Sequence, residues 1–305
     1  MDAHFATRRL DDLHVAHATE IPAELVAQAI ALHRESFARG RDACLKWGPG
    51  SSVSHVRIRS GESELDLAVK WNPWRGWGGA LSDALHGSRA RRALAASRRL
   101  AKTGLLQLEV LAVAERRRLG VVRESFLLTR FLRGADPLPV AMARVRERTA
   151  RRRALLRALG EAIGALHAAG FDHRDLKHSN LMVDAQRRVA FLDLEVLGRL
   201  APFRWRRRVR ALGVLDSYAR DLYSWLPERE RLCFLRSYLR AEPALAAQKE
   251  SLVRGAQREA ERRVARWAEG SRPAERHFPL APRDADPCTA ADAGAPPGSA
   301  RDSRS

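Results

Sequence analysis

No stretch of this 305-residue chain approaches 18 consecutive apolar residues, which argues against a helical membrane span. The best candidate, residues 104–114, is interrupted by Gln107 and Glu109. The N-terminus does not read as a secretory leader, because Arg8, Arg9, Asp11 and Asp12 arrive before any apolar run. Cysteine is scarce. Cys44, Cys233 and Cys288 are odd in number, far apart and without CxxC or Cys/His spacing, which argues against a disulfide framework and a zinc site. Lysine and asparagine are nearly absent: five lysines stand against fifty arginines, and Asn72 and Asn180 are the only asparagines. A GC-rich genome explains the arginine skew as readily as function does. The few lysines and asparagines that remain are therefore informative. The chain reads as cytosolic.

What is present in excess is positive charge. Fifty-five basic against thirty-six acidic residues give a net charge of +19. Such a field attracts nucleic acid, anionic lipid headgroups or phosphorylated substrates and says nothing about fold. A hydrophobic fraction of 45% in 34.1 kDa suits one large globular domain or two small ones.

Along the chain, residues 21–40 carry helical periodicity and end at Gly40. A turn-rich loop at 48–52 leads into an alternating hairpin, 53–59 and 64–71, with Leu65, Leu67 and Val69 on one face and Ala68 and Lys70 on the other. Residues 71–79 read as a Trp/Gly/Arg loop and 82–103 as one basic helix. Strands are expected at 105–114 and 125–132 around an arginine-rich turn at 116–120. A long helix carries Leu155, Leu159, Ile163 and Leu166 and stops at Gly170. Two short strands follow, 181–183 and 189–192, and 206–270 is helical in character. The predicted organisation is an N-terminal extension with a helix (1–40), a β-rich nucleotide-binding lobe (41–132), a helical lobe (133–270) and a disordered tail (271–305) rich in Pro, Ala, Gly, Asp and Ser.

The chemistry concentrates in His173-Arg174-Asp175-Leu176-Lys177-His178-Ser179-Asn180, directly after the long helix. It matches the H-R-D-L-x-x-x-N catalytic loop of protein kinases. Thirteen residues past Asn180, at a strand end, Phe191-Leu192-Asp193-Leu194-Glu195 puts Asp193 where a kinase keeps its second metal carboxylate, although the glycine of D-F-G is absent. Leu67-Ala68-Val69-Lys70 matches the V-A-I-K strand, with Ala68 a small wall for adenine and Lys70 a cation for the α/β-phosphates. Gly48, Gly50 and Val53 make a degenerate phosphate-covering loop, and Thr129 to Phe131 is the expected adenine hinge, read through backbone groups. One part is missing: the helix over 82–103 contains no glutamate to pair with Lys70, and Ala93 falls at that register.

Together with the stretches 87–92, 102–104, 204–217 and 234–238, these motifs resemble the bacterial lipopolysaccharide kinases, the Kdo/heptose kinases of the inner core. The resemblance covers about residues 46–238. It implies an α+β, two-lobed protein-kinase-like fold and transfer of the ATP γ-phosphate to a core sugar hydroxyl at the cytoplasmic face of the inner membrane. Asp175 and Lys177 are then the catalytic residues, Asn180 and Asp193 hold Mg²⁺, and Lys70 grips ATP.

Three alternatives stay open. The acceptor could be a protein Ser/Thr residue or a small molecule, although no A-P-E follows Asp193. The chain could be a nucleotide-binding pseudokinase or scaffold, which the missing glutamate favours. A nucleic-acid role rests on charge alone and is the weakest. The arginine clusters at 89–92, 98–99, 144–153 and 204–210 read either as solvated helix faces or as a face for anionic inner-membrane lipid and phosphorylated sugar. Likewise Trp71, Trp74 and Trp77 either pack on the small lobe or dip into a membrane interface. Oligomeric state is not legible.

Overall fold

Alternating apolar residues build the small lobe into one antiparallel sheet. In the computed structural model, which describes residues 5–60, 63–106, 108–201 and 204–271, the chain opens with β1 (Phe5–Leu10) and β2 (Leu13–Ala18), then α1 (Ala23–Arg39), β3 (Ser52–Ser60) and β4 (Ser63–Asn72). Helices α2 (Gly76–His86) and α3 (Arg89–Ala101) precede β5 (Val110–Arg118) and β6 (Val121–Arg130). The six strands lie in the order β1-β2-β5-β6-β4-β3. The tail expected over 271–305 lies, apart from Ser271, outside the described residues, as does Cys288.

Each face of the sheet has its own cover. Val26, Ala29 and Ile30 of α1 pack on Val56, Ile58, Leu67, Val69, Phe126 and Leu128. On the opposite face Val110, Val113 and Leu127 meet Ala90, Ala93, Ala96 and Leu100 of α3, in a core continuous with the large lobe. The sequence reading finds no element before residue 21, yet β1 and β2 extend this sheet through pairing of β2 with β5. β1 is a polar edge strand, its Arg8 and Arg9 exposed, and edge strands of that kind carry little apolar alternation.

Three other boundaries differ from expectation. The single basic helix over 82–103 is two helices, because Gly87 takes φ 79° and Ser88 caps α3 by accepting the Arg91 amide at 3.2 Å. Helix α2 also starts inside the stretch read as a loop. The β5–β6 hairpin slides toward its arginines: residues 116–118 are strand, and the turn is only Leu119–Gly120.

The large lobe starts with β7 (Asp136–Pro137), α4 (Leu138–Arg144) and α5 (Thr149–Ala168). Then come β8 (Phe171–His173), β9 (Leu181–Val183), β10 (Val189–Phe191) and β11 (Leu197–Arg199). It ends in α6 (Arg204–Leu222), α7 (Glu228–Arg240) and α8 (Lys249–Arg266). α5 and α7 touch backbone to backbone, since a Cβ on Gly160 would stand 2.2 Å from the Phe234 carbonyl oxygen. Arg152 and Glu230, both buried, form an ion pair between the same helices at 2.6 Å. Among the described residues no helix is long and apolar enough to cross a membrane.

Candidate active site

A cleft of about 550 Å³ separates the lobes. Val53, Ala68, Lys70, Thr129 and Phe131 line it from the small lobe, and Met182, Leu192, Asp193 and Glu195 from the large one. Alternation along β4 does this sorting: Leu67 and Val69 are buried under α1, while Ala68 and Lys70 face the cleft. Gly48 and Gly50 do not line it. They sit in a tight turn closed by mutual backbone bonds between Lys46 and Val53, with Lys46 Nζ donating to Ser51 Oγ at 2.6 Å.

Phe131 enters the cleft through its ring, stacked on His55 at 3.9 Å between centroids. Its amide donates to the Asp66 carbonyl and that of Arg130 to the Glu109 carbonyl, so these two amides serve the sheet rather than a base. At the cleft mouth burial alone would raise the Asp66 carboxyl, but hydrogen bonds from His55 and Arg133 outweigh it and hold the group below the usual carboxylate range.

From the large lobe, the loop after β8 is organised by its own polar atoms. Asn180 Nδ2 donates to the Asp175 carbonyl at 2.8 Å and to Asp175 Oδ2 at 2.9 Å, and Lys177 Nζ stands 3.0 Å from the same Oδ2. His173 Nε2 donates to the Leu192 carbonyl at 2.7 Å, and the Leu192 amide donates to the Asn180 carbonyl at 2.8 Å. These two bonds fix the 173–180 loop against the residue preceding Asp193. Asp193 itself adopts the left-handed conformation, φ 54°, a strained choice for a residue other than glycine and one that concentrates at functional sites.

The lobes meet at Lys70. Its ammonium donates to Asp193 Oδ1 at 2.8 Å and to Glu195 Oε1. Glu195 is the residue that sequence reasoning missed. The glutamate absent from α3 is replaced by one that a 3₁₀ turn, Leu194–Val196, tucks beneath that helix. Ala90, Ala93 and Ala96 give α3 a small-residue underside, so the turn can approach it closely. The available signal was the third letter of Asp-Leu-Glu, where glycine was expected. Buried Glu115 on β5 anchors the start of α3 by pairing with Arg91 at 3.0 Å. Burial would raise its carboxyl, and Ser88, Arg117 and Arg91 together pull it below the usual range.

The oxygen set suits a magnesium ion. Asn180 Oδ1 is buried without a hydrogen-bond partner, and the carboxylates of Asp175 and Asp193 flank its loop. Among the described residues no cluster of three or more His, Cys, Asp or Glu could hold a metal alone. That composition fits Mg²⁺, which is bound by one or two protein oxygens together with substrate phosphates.

Comparison with known proteins agrees with this geometry. A solved structure, WaaP in complex with acyl carrier protein, superposes with a TM-score of 0.51 at 24% identity, covering 75% of this chain and 91% of that one. It supports the two-lobed α+β fold. The lipopolysaccharide core heptose(I) kinase WaaP of Pseudomonas aeruginosa is 32% identical over 163 residues, 50% of this chain and 59% of that protein. The chain thus spans under two thirds of that relative's length. The family described as lipopolysaccharide kinase (Kdo/WaaP) matches residues 80–238, just over half of the chain and including the whole 173–195 segment. The chain belongs to the lipopolysaccharide kinase (Kdo/WaaP) family.

Proposed function

We propose that this protein transfers the γ-phosphoryl group of ATP to a sugar hydroxyl of lipopolysaccharide core, a heptose or Kdo. The observation that carries the reading is the convergence of Lys70 from one lobe with Asp193, Glu195 and the Asp175-Lys177-Asn180 loop from the other. Asp175 is half-exposed in the loop that hydrogen bonds tie to the cleft-lining Leu192, open to an incoming hydroxyl. It orients that hydroxyl and takes its proton as oxygen attacks the γ-phosphorus and the bond to the β-phosphate oxygen breaks, releasing ADP. Lys177 offsets charge on the transferring group. Lys70, held by Glu195, is aimed at the α/β-phosphates, and Asn180 and Asp193 would hold Mg²⁺. When bound, the ion supplies charge neutralisation at the phosphate oxygens. Ala68 and Val53 form the apolar wall of the base site.

The absent helix glutamate was the feature favouring a pseudokinase, and Glu195 removes that support. The structural relative carries an acyl carrier protein. A partner of that class is favoured here by an apolar cavity of about 220 Å³ in the large lobe, lined by Leu156, Leu159, Leu212, Phe234 and Leu252.

The test is label transfer from γ-labelled ATP with Mg²⁺ to three acceptors in parallel: delipidated lipopolysaccharide core, a generic protein substrate and an aminoglycoside. Label on the core alone is expected. Label only on another acceptor, or none with ATP still bound, would overturn the assignment.

A further inference from the structure

Helix α2 reverses the burial expected of a helix lying on a folded domain. None of its residues is buried. Trp77, Leu81 and Leu85, four residues apart and therefore on one stripe, are 73%, 63% and 71% exposed. Its neighbour α3 does the opposite and buries Ala90, Ala93, Ala96 and Leu100. Of the three tryptophans in the stretch before and within α2, Trp71 and Trp74 fold onto the lobe. Trp71 donates to Glu124 at 2.7 Å, and Trp74 stacks edge-on with Trp77 at 5.7 Å.

A second apolar projection stands at the β5–β6 turn. Leu119 is 95% exposed and adopts φ 50°, beside Gly120 at 77°, in a two-residue turn between paired Arg118 and Val121. Asn, Asp or Gly would satisfy such a turn without strain. Leucine here fits neither the turn nor the lobe, and three arginines, Arg116 to Arg118, precede it. The two projections belong to one end of the lobe. Arg123 lies four residues from Leu119, about 13 Å along the strand, and its guanidinium sits 4.3 Å from the Trp74 ring centre and 5.7 Å from that of Trp77.

We propose that this end of the small lobe, the α2 stripe and the Leu119 tip, docks on an anionic phospholipid bilayer. Both projections are convex and single-file. A fluid interface takes up isolated side chains of that kind, whereas a protein partner would need a matching groove for each. The charge is complementary. Arginine outnumbers the acidic groups at this end: Asp83 is shared by Arg75 and Arg92, Glu115 by Arg91 and Arg117, and Glu124 is met by Arg116, while Arg118 stands exposed beside Leu119. Arginine at the headgroups with tryptophan and leucine beneath them is the chemistry of an interfacial anchor. Arg89, at the α2–α3 corner, reaches the Gly50 carbonyl at 3.5 Å, so docking here brings the glycine-containing turn and the cleft edge toward the membrane. The contact uses no residue of the phosphoryl-transfer machinery and stands or falls apart from that reading.

The test is flotation of the full chain with vesicles of phosphatidylcholine containing one quarter phosphatidylglycerol, beside pure phosphatidylcholine. The wild-type chain should float with the anionic vesicles and not with the neutral ones. A combined Trp77→Ser, Leu81→Ser, Leu85→Ser variant should lose partitioning by about tenfold or more, with circular dichroism and ATP binding unchanged. Leu119→Asn should lose a smaller, several-fold share without loss of thermal stability, because asparagine suits the turn. The proposal is overturned if the wild-type chain ignores anionic vesicles or the triple variant floats as well as wild type. It is equally overturned if gel filtration reveals a dimer that the triple variant dissociates, since the face would then belong to a second copy.

Discussion

The two lobes contribute to the cleft in different ways. The large lobe presents its polar groups from two short segments, 173–180 and 193–195, which lock each other through His173, Asn180 and Leu192. The small lobe reaches the same centre with one side chain, Lys70, whose partners lie 123 and 125 residues away. The large lobe can therefore assemble its part of the site from local contacts, whereas the small lobe's contribution exists only when the lobes are docked. The proposed function assigns chemistry to the first and nucleotide grip to the second.

Substitutions break this division in order of size. Asp175→Asn keeps the side chain's shape and removes the proposed proton acceptor, so turnover should fall by about 10³-fold while ATP binding stays near wild type. A loss of ATP affinity instead would erase the distinction between lobes.

The large lobe's rigidity can be attacked directly. Gly160→Ala would drive a methyl into the Phe234 carbonyl and should cost about 3 kcal/mol in chemical denaturation. Gly50→Ala, with nothing within 4 Å of the added carbon, should stay within about 0.5 kcal/mol.

Lys70→Met and Glu195→Gln should each lower kcat/KM by about 10²-fold, with a raised KM for ATP. The double variant should cost little more than either alone, because the two residues act as a unit. Additive losses would mean that Glu195 does not position Lys70.

Acid treats the lobes alike. His33, between Ser52 and Ser54 in the small lobe, is pushed down to about 4 by burial and by Arg34. His167, against Tyr238 in the large lobe, is pushed down to about 3 by burial and by Arg208. The unfolded chain takes up these protons near pH 6.5 and the folded one does not. Their stabilisation is therefore complete above that pH and is lost as pH falls toward 4. At pH 5 each should cost about 2 kcal/mol relative to pH 7.5, measured by denaturant titration.

The same contrast explains what the sequence disclosed. The catalytic loop, Asp193 and the β4 lysine were legible because each is a contiguous motif with fixed local geometry, and β4's alternation correctly put Ala68 and Lys70 on one face. Glu195 was not assigned, because its pairing depends on a left-handed Asp193 and on α3 lying over the turn, neither of which leaves a local signature. β1 was lost to its polar edge composition, and the α2–α3 break to a Gly87-Ser88 pair inside a run that otherwise reads as one basic helix. The tryptophan stretch was read as a single unit, yet the structure divides it: Trp71 and Trp74 pack on the lobe and Trp77 stands outward.

The most direct test is a single-turnover measurement of phosphate transfer from ATP to lipopolysaccharide core, with ATP affinity measured on the same samples, for wild type, Asp175→Asn and Glu195→Gln. The account predicts wild-type transfer, near-normal ATP affinity with transfer reduced about 10³-fold for Asp175→Asn, and weakened ATP affinity for Glu195→Gln. Undiminished transfer by Asp175→Asn would contradict it.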